Sequence, residues 1–184
     1  MRKVPLLQGG TIGLRRLRPA DGPELAAAIQ ELSLRSRYLR FHTPRAPVDP
    51  GEIAYLTDVD QRDRAAWVLF EDGKGIAIGR YARLAGRPEA EVALTVLDPW
   101  QGRGLSKLLL AALMRTARAA GIERLVGFML DENEAVQRLV ASLGGQRHPA
   151  GRGLSRVELP TDPAALPQGP AADAIRHYDR LLAA

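Results

Sequence analysis

The sequence has no cysteine, only three lysines, and aromatic residues at 5% of its 184 positions. Without cysteine, the chain can form no disulfide and offers no thiolate as a nucleophile or metal ligand. Few aromatic rings leave few platforms for the base stacking by which proteins bind single-stranded nucleic acid. No apolar run approaches the roughly 18 residues of a membrane span, and the short run after the basic start is broken by Pro5, unlike a signal peptide. We therefore expect a soluble, cytoplasmic chain with neither a membrane nor a nucleic-acid partner.

Basic residues exceed acidic ones, and the net charge is +5. The arginines are scattered among alanine and leucine residues instead of forming a stripe. We interpret the excess as compositional and keep nucleic-acid binding only as a distant alternative. The three histidines, His42, His148 and His177, lie in unrelated contexts without metal-ligand spacing. The sequence therefore predicts no metal site.

Apolar periodicity divides the chain into strands and helices. It predicts strands over residues 11–19, 64–70, 75–84, 91–97, 124–130 and 155–160, and helices over 22–32, 35–41, 105–120 and 134–143. Asp72-Gly73 marks a hairpin between the second and third strands. Residues 42–51 are rich in proline and form a candidate substrate-side lid, followed by a short helix or turn. This order indicates an α/β sheet with mixed strand directions.

The turn between the strand at 91–97 and the helix at 105–120 has the features of an anion site. Gly102 and Gly104 allow the backbone to approach a ligand closely, and the helix directs unpaired N–H groups and its positive dipole end into the turn. Arg103 and Lys107 could add full charges. The spacing fits neither a P-loop nor a dinucleotide fingerprint. The letters GRGLS recur at residues 151–155 without a following helix, and there we predict only a hairpin loop.

The segment Gln101-x-x-Gly104-x-Ser106, preceded by a strand and opening a helix, resembles the acetyl-CoA-binding motif of the GNAT family of N-acetyltransferases. The order of elements is similar to that family from about residue 11 to 159. The resemblance implies a mixed, mostly antiparallel sheet of about six or seven strands with a splayed parallel central pair, flanked by helices. Several stretches more narrowly resemble the acetyltransferase domain of bacterial Pat-type protein-lysine acetyltransferases: LSLRSRYLRFHTP, LTDVD, AEVALTVLDPWQGRGLSKLLL and LDENEAVQRLVASLG.

The resemblance also implies where acetyl-CoA binds. Backbone amides of residues 102–106 would hold the pyrophosphate, and the strand edge at residues 94–96 would pair with the pantetheine. Asn133 would lie near the cofactor arm, and it is equally placed to cap the next helix. The expected cofactor-binding residues are Leu94, Thr95, Val96, Gln101, Gly102, Arg103, Gly104, Leu105, Ser106, Lys107 and Asn133.

Glu91 matches the glutamate that serves as general base in the Pat-type enzymes that the sequence resembles. Its alternative role is that of a solvent-facing strand residue, like Glu89 beside it. A strand N–H near Leu94 is the simplest donor for the oxyanion of acyl transfer. Two features depart from the family pattern. Ser106 replaces a glycine or alanine, and residues 136–143 lack the tyrosine that many members use to protonate the leaving thiolate.

We predict an acetyltransferase domain over residues 1–160 and a proline-rich linker with an amphipathic helix over 161–184. The apolar stripe of that helix needs a cover, either in its own domain or in a partner subunit of a homodimer. The expected reaction moves an acetyl group to a primary amine, with a protein lysine as the leading acceptor. A small-molecule amine acetyltransferase and a non-catalytic acyl-CoA-binding module remain alternatives. We expect no regulatory nucleotide site within the chain.

Overall fold

The computed structural model describes residues 1–43 and 49–184, which form an eight-stranded sheet with helices on both faces. Five residues of the predicted lid, 44–48, therefore lie outside the described residues. The strands are β1 (Arg2–Pro5), β2 (Thr11–Arg16), β3 (Arg64–Glu71), β4 (Lys74–Arg83), β5 (Glu89–Val96), β6 (Arg124–Leu130), β7 (Gln146–Gly151) and β8 (Leu154–Pro160). The helices are α1 (Gly22–Glu31), α2 (Leu34–Phe41), α3 (Pro50–Thr57), α4 (Leu105–Ala119), α5 (Glu134–Ser142) and α6 (Pro170–Ala183).

The sheet confirms the predicted fold class. Its strand order is β1-β2-β3-β4-β5-β6-β8-β7, and β5–β6 is the one parallel pair among the described strands. The strand count is eight, because β1 and β7 add to the six predicted strands. In β1 only Val4 is buried, and every residue of β7 is exposed, so neither strand has the alternating apolar pattern that reveals a strand in sequence.

β5 separates two environments because successive side chains of a strand point to opposite faces. Val92, Leu94 and Val96 pack against the main core around α4. Glu91, Ala93 and Thr95 occupy the other face, where α1, α2 and α3 lie.

Gly79 on β4 is paired with Leu94 and allows α4 to approach the sheet. A Cβ atom at Gly79 would lie 2.7 Å from Leu94 Cδ2 and 2.9 Å from Leu113 Cδ1. Such distances are shorter than a van der Waals contact, so any side chain at this position would displace its neighbours.

α4 is buried on most of its circumference because the sheet covers one side and α6 covers another. Ile175 and Tyr178 of α6 belong to the same core cluster as the α4 leucines. The segment before α6 is also fixed: Thr161 Oγ1 donates to the carbonyl of Ile122 at 2.7 Å, and Leu166 is buried. The apolar stripe of α6 is therefore covered within the chain itself, while the domain boundary at residue 160 stays a prediction.

Replacing Ile175 by alanine tests this packing, because the Ile175 side chain is completely buried. We expect Ile175→Ala to lower the free energy of unfolding by about 2–5 kcal/mol, the usual cost of a cavity in a core. Leu34→Ala is the matched control: Leu34 is 73% exposed, and we expect a change within about 0.5 kcal/mol. Urea unfolding measures both. Equal effects of the two substitutions would show that α6 is not part of the core.

Candidate active site

β5 and β6 separate after a short stretch of pairing. Only Glu89–Arg124, Ala90–Leu125 and Glu91–Val126 are paired, although β5 continues to Val96 and β6 to Leu130. The pairing ends just before Gly127, where the two strands are still close enough that a Cβ atom would lie 3.3 Å from the Val92 carbonyl oxygen. Beyond this point a gap opens between the two strands.

The backbone of β5 presents hydrogen-bonding groups to this gap. Leu97 N donates to Ile76 O on β4 at 2.9 Å, and in an antiparallel pair successive residues point their backbone groups to alternate sides. Thr95 consequently faces β4, like Leu97, whereas the N–H and C=O groups of Leu94 and Val96 face the gap. The site residues predicted on β5 thus divide into two that offer backbone groups to the gap and one, Thr95, whose backbone is used within the sheet.

The turn before α4 opens toward a space free of other atoms. Gly102 and Gly104 have φ angles of 77° and 73°, a left-handed conformation that glycine adopts without strain. Apart from its chain neighbours, no atom of residues 1–43 and 49–184 lies within 4 Å of a Cβ placed on Gly102, and among the same residues only the Gln8 amide nitrogen, at 3.9 Å, approaches one on Gly104. Gly104 is the N-cap of α4, so no side chain caps the first N–H groups of the helix. Leu105 is buried, while Ser106 and Lys107 are half-buried.

The side chain of Arg103 is held by a carboxylate at the β3–β4 hairpin. Arg103 Nη2 lies 2.9 Å from Glu71 Oε1, and Trp100 Nε1 donates to Glu71 Oε2 at 2.6 Å. The hydrogen bond from Arg103 lowers the pKa of Glu71, with Trp100 adding to the effect. Arg103 therefore supports the turn through Glu71.

Gln101 and Asp98 connect the turn to β5 and α2. Gln101 Nε2 donates to Val96 O at 3.1 Å and to Ser36 Oγ at 3.2 Å. The Asp98 carboxylate accepts hydrogen bonds from Ser33 N, Ser33 Oγ and Ser36 Oγ at 3.0, 2.8 and 2.7 Å. Burial raises the pKa of Asp98, but these hydrogen bonds outweigh it, so its pKa lies below the ordinary value.

A second contact fixes α2 on the far side of the gap. Arg35 Nη1 on α2 lies 2.9 Å from Glu132 Oε1, which follows β6. Asn133, next to Glu132, caps α5: its Oδ1 accepts from Val136 N at 3.3 Å. The predicted capping role of Asn133 is confirmed, and its contact with a cofactor stays a prediction.

Glu91 lies at a cleft between β4–β5 and helices α2 and α3. The cleft is also lined by Arg40, Tyr55 and Arg80. Within residues 1–43 and 49–184, the Glu91 carboxylate makes no hydrogen bond or ion pair, and it is exposed to solvent. Its charge favours the protonated forms of Arg40 and of His42, although burial and Arg40 together lower the pKa of His42.

Sequence reasoning missed three polar residues that shape the site: Ser33, Ser36 and Arg80. Ser33 caps α2 by accepting from Ser36 N, a signal that a Ser-x-x-Ser pattern before a helix could have supplied. Arg80 carried no such signal because the chain is rich in arginine throughout.

The second GRGLS segment forms the predicted hairpin loop. It connects β7 to β8, with φ angles of 81° at Gly151 and 72° at Gly153, and a strand follows it. Identical letters thus form an open helix start at one place and a tight turn at the other, because the elements around them differ.

The described parts of the chain offer neither a metal cluster nor a membrane-spanning helix. In residues 1–43 and 49–184, no group of three or more histidine or carboxylate side chains is arranged to hold a metal ion. The helices described there include none with the length and apolar character to cross a membrane.

Comparison with known proteins places these features in a family. Residues 11–146 match the family described as acetyltransferase (GNAT) domain. The chain is 33% identical over 162 residues to acetyltransferase Pat from Mycolicibacterium smegmatis, an alignment that covers 85% of this chain and 48% of Pat. The chain therefore spans about half the length of this curated relative.

Two solved structures are similar to the chain. The GNAT domain of S. lividans PAT superimposes with a TM-score of 0.79 at 29% identity, covering 86% of this chain and 96% of that domain. The PaiA N-acetyltransferase from Thermoplasma acidophilum, in complex with coenzyme A, has a TM-score of 0.69 at 16% identity, covering 81% of this chain and 98% of the other. At that identity the second likeness concerns the fold alone.

Substituting Asp98 tests how α2 is attached to the turn. The folded-state pKa of Asp98 is depressed, so its contribution is fully present above the unfolded value of 3.8 and is lost as the pH falls through the folded value. We expect Asp98→Ala to be about 1 kcal/mol less stable than wild type at pH 7, a discounted value because the carboxylate is partly exposed. Urea unfolding at pH 7, 5 and 3 should show the difference shrinking at pH 3.

Glu123→Ala serves as the control, since Glu123 is an exposed carboxylate on the loop before β6. It removes the same charge without detaching α2. If both variants showed the same pH dependence, the effect of Asp98 would be one of net charge alone.

Proposed function

The chain belongs to the GNAT family of acetyltransferases, and we propose that it transfers an acetyl group from acetyl-CoA to the side-chain amine of a protein lysine. One observation carries the proposal: β5 leads into the uncapped N-terminus of α4, has no β6 partner beyond Glu91, and carries the Glu91 carboxylate at an open cleft. The first two can hold a cosubstrate that has a phosphate end and an amide-containing arm, and the third can accept a proton.

The cosubstrate site would consist mainly of backbone. The N–H groups of residues 102–106 point a positive dipole end into open space, which suits the pyrophosphate of coenzyme A. The gap-facing N–H and C=O of Leu94 and the N–H of Val96 suit the amides of the pantetheine arm, which would take the place of the missing strand partner. Lys107 can add a charge, whereas Arg103 reaches the phosphates only by leaving Glu71.

Glu91 is proposed as the general base. A lysine amine has a pKa near 10.4, so at pH 7 roughly one molecule in 2,500 is neutral, a handicap of about 4–5 kcal/mol. The Glu91 carboxylate borders the acceptor cleft and forms no ion pair among the described residues. It can therefore accept a proton from the amine as the nitrogen attacks the thioester carbonyl. The bond to sulfur then breaks, and coenzyme A leaves as the thiolate.

The oxyanion formed in this step needs a donor. Because the Leu94 N–H faces the gap, it can donate to the carbonyl oxygen as negative charge develops there. α5 carries no tyrosine to protonate the leaving thiolate, and we assign no residue to that step.

The acceptor side leaves one alternative with structural support. The cleft at Glu91 is open to solvent and borders the exposed ring of Tyr55. A lysine side chain on the surface of another protein needs such an open approach. Behind it lies a deeper apolar cavity, which would suit a small-molecule amine. A screen of protein substrates against polyamines, amino acids and aminoglycosides would separate the two; acetylation of neither class would favour a non-catalytic acyl-CoA-binding module.

A charged side chain in the α4 turn should prevent cosubstrate binding. We expect Gly104→Glu to weaken acetyl-CoA binding by at least about 100-fold, because it places a carboxylate where the pyrophosphate would bind. Gly121→Glu is a closely matched control at the other end of α4: Gly121 has the same φ of 73°, and a Cβ there meets no atom of the described residues within 4 Å. Calorimetry measures both affinities. Retention of binding by Gly104→Glu would refute the assignment of the turn.

Removing the base should affect chemistry rather than cosubstrate binding. We expect Glu91→Gln to lower kcat by about 100- to 10,000-fold while the affinity for acetyl-CoA stays unchanged. The deficit should shrink toward pH 10, because a growing fraction of the acceptor amine is then already neutral. Glu52→Gln removes a carboxylate from the same cleft and should have little effect. Equal rates for wild type and Glu91→Gln would show that Glu91 is not the base.

A further inference from the structure

We propose that Arg40 and Arg80 together bind a carboxylate carried by a substrate, in the apolar cavity behind Glu91. The inference rests on the proposed acyl transfer and narrows its substrate class. One of the two substrates would end in a carboxylate on a short apolar chain, either the acyl group of the donor or the acceptor amine.

The cavity has a volume of about 310 Å³ and lies between the sheet and α1. Its walls are mainly apolar, with contributions from Leu25, Ile29, Val68, Phe70 and Ile78. It shares Arg40, Phe41, Leu56, Arg80 and Ala93 with the cleft that contains Glu91. The two arginines thus stand where the cleft and the cavity meet.

Arg80 has hydrogen-bonding capacity that the protein does not use. It projects from β4 on the same face as Glu91, with its guanidinium carbon 5.0 Å from the centre of the Tyr55 ring. Its Nε and Nη2 atoms are buried and have no hydrogen-bond partner among the described residues. Buried guanidinium donors without partners are costly, so a ligand that accepts from them is expected.

Arg40 reaches the same place from α2. Its Nε donates to Thr95 Oγ1 at 3.1 Å, and its guanidinium carbon lies 4.9 Å from the centre of the Phe41 ring. Burial and the nearby charge of Arg80 lower the pKa of Arg40 to about 10. The guanidinium groups of Arg40 and Arg80 are therefore held close together, largely shielded from water, where the cleft meets the cavity.

The acidic residues around the cavity do not neutralise this pair. Asp21 is bound to Arg15 at 2.6 Å, and Glu31 is bound to Lys74 at 2.6 Å. Glu24, which also borders the cavity, is exposed to solvent. Glu91 is close enough to favour the charged form of Arg40, yet it forms no ion pair with it in the described structure.

A carboxylate matches this arrangement better than other anions. Its two oxygens accept the parallel N–H groups of a guanidinium in a planar, charge-assisted pair. An apolar chain of a few carbon atoms attached to it would occupy the walls of the cavity, where a phosphate with its hydration shell would not.

Calorimetry with two pairs of ligands tests the proposal and identifies the source of the carboxylate. The donor pair is succinyl-CoA and butyryl-CoA, which have acyl chains of equal length. The acceptor pair is 6-aminohexanoate and hexylamine, measured with coenzyme A present. We expect wild type to bind the carboxylate member of one pair at least about 10-fold more tightly, and Arg80→Met to reduce that ratio to near one. Arg138→Met, on the exposed side of α5, should keep the ratio.

A melting experiment guards against misfolding of the variant. Because Arg80→Met removes an unpaired buried charge, its melting temperature should equal or exceed that of wild type, and Arg80→Lys, which keeps the charge but not the planar fork, should retain part of the preference. The proposal is overturned if neither pair shows a preference, or if Arg80→Met keeps it. Because binding is measured directly, a preference in a protein that acetylates no amine would support the carboxylate site while refuting the proposed reaction.

Discussion

β5 and β6 are held together by three residue pairs and then part, and the remaining features of the site depend on this short parallel ladder. An open strand edge inside a sheet exposes backbone groups that require partners. The opening is tolerated because each strand is fully paired on its other side, β5 with β4 as far as Val96 and β6 with β8 as far as Leu130. The sheet thus consists of two halves, β1 to β5 and β6 to β8, that are joined by this short ladder.

α2 keeps the two half-sheets in register across the opening. Its first turn is bound to Asp98, at the end of β5, and its Arg35 is bound to Glu132, at the end of β6. Arg40, near its other end, reaches Thr95 on β5. One short helix therefore contacts both the turn proposed to bind the phosphates and the strand that borders the proposed acceptor cleft.

The sequence was sufficient for features that depend on local patterns. The helix from Leu105, the hairpin at Asp72-Gly73 and the strand at residues 124–130 follow from periodicity and turn chemistry, and the structure has them with nearly the same bounds. β1 and β7 could not be found this way, because they are edge strands with few or no buried residues. The proximity of Arg40 to Arg80 depends on how α2 lies on the sheet, and no local pattern encodes that.

Gly79 has no functional group, yet it bears on the proposed reaction through its contact with Leu94. Leu94 has its side chain between Gly79 and α4, while its backbone N–H faces the gap. The position of the proposed oxyanion donor therefore depends on how the Leu94 side chain packs against Gly79 and α4. A methyl group added at Gly79 would push on Leu94 and reposition that donor. The structure of such a variant would show disturbed core packing, and its kinetics would show a lowered rate, both from the same displacement of Leu94.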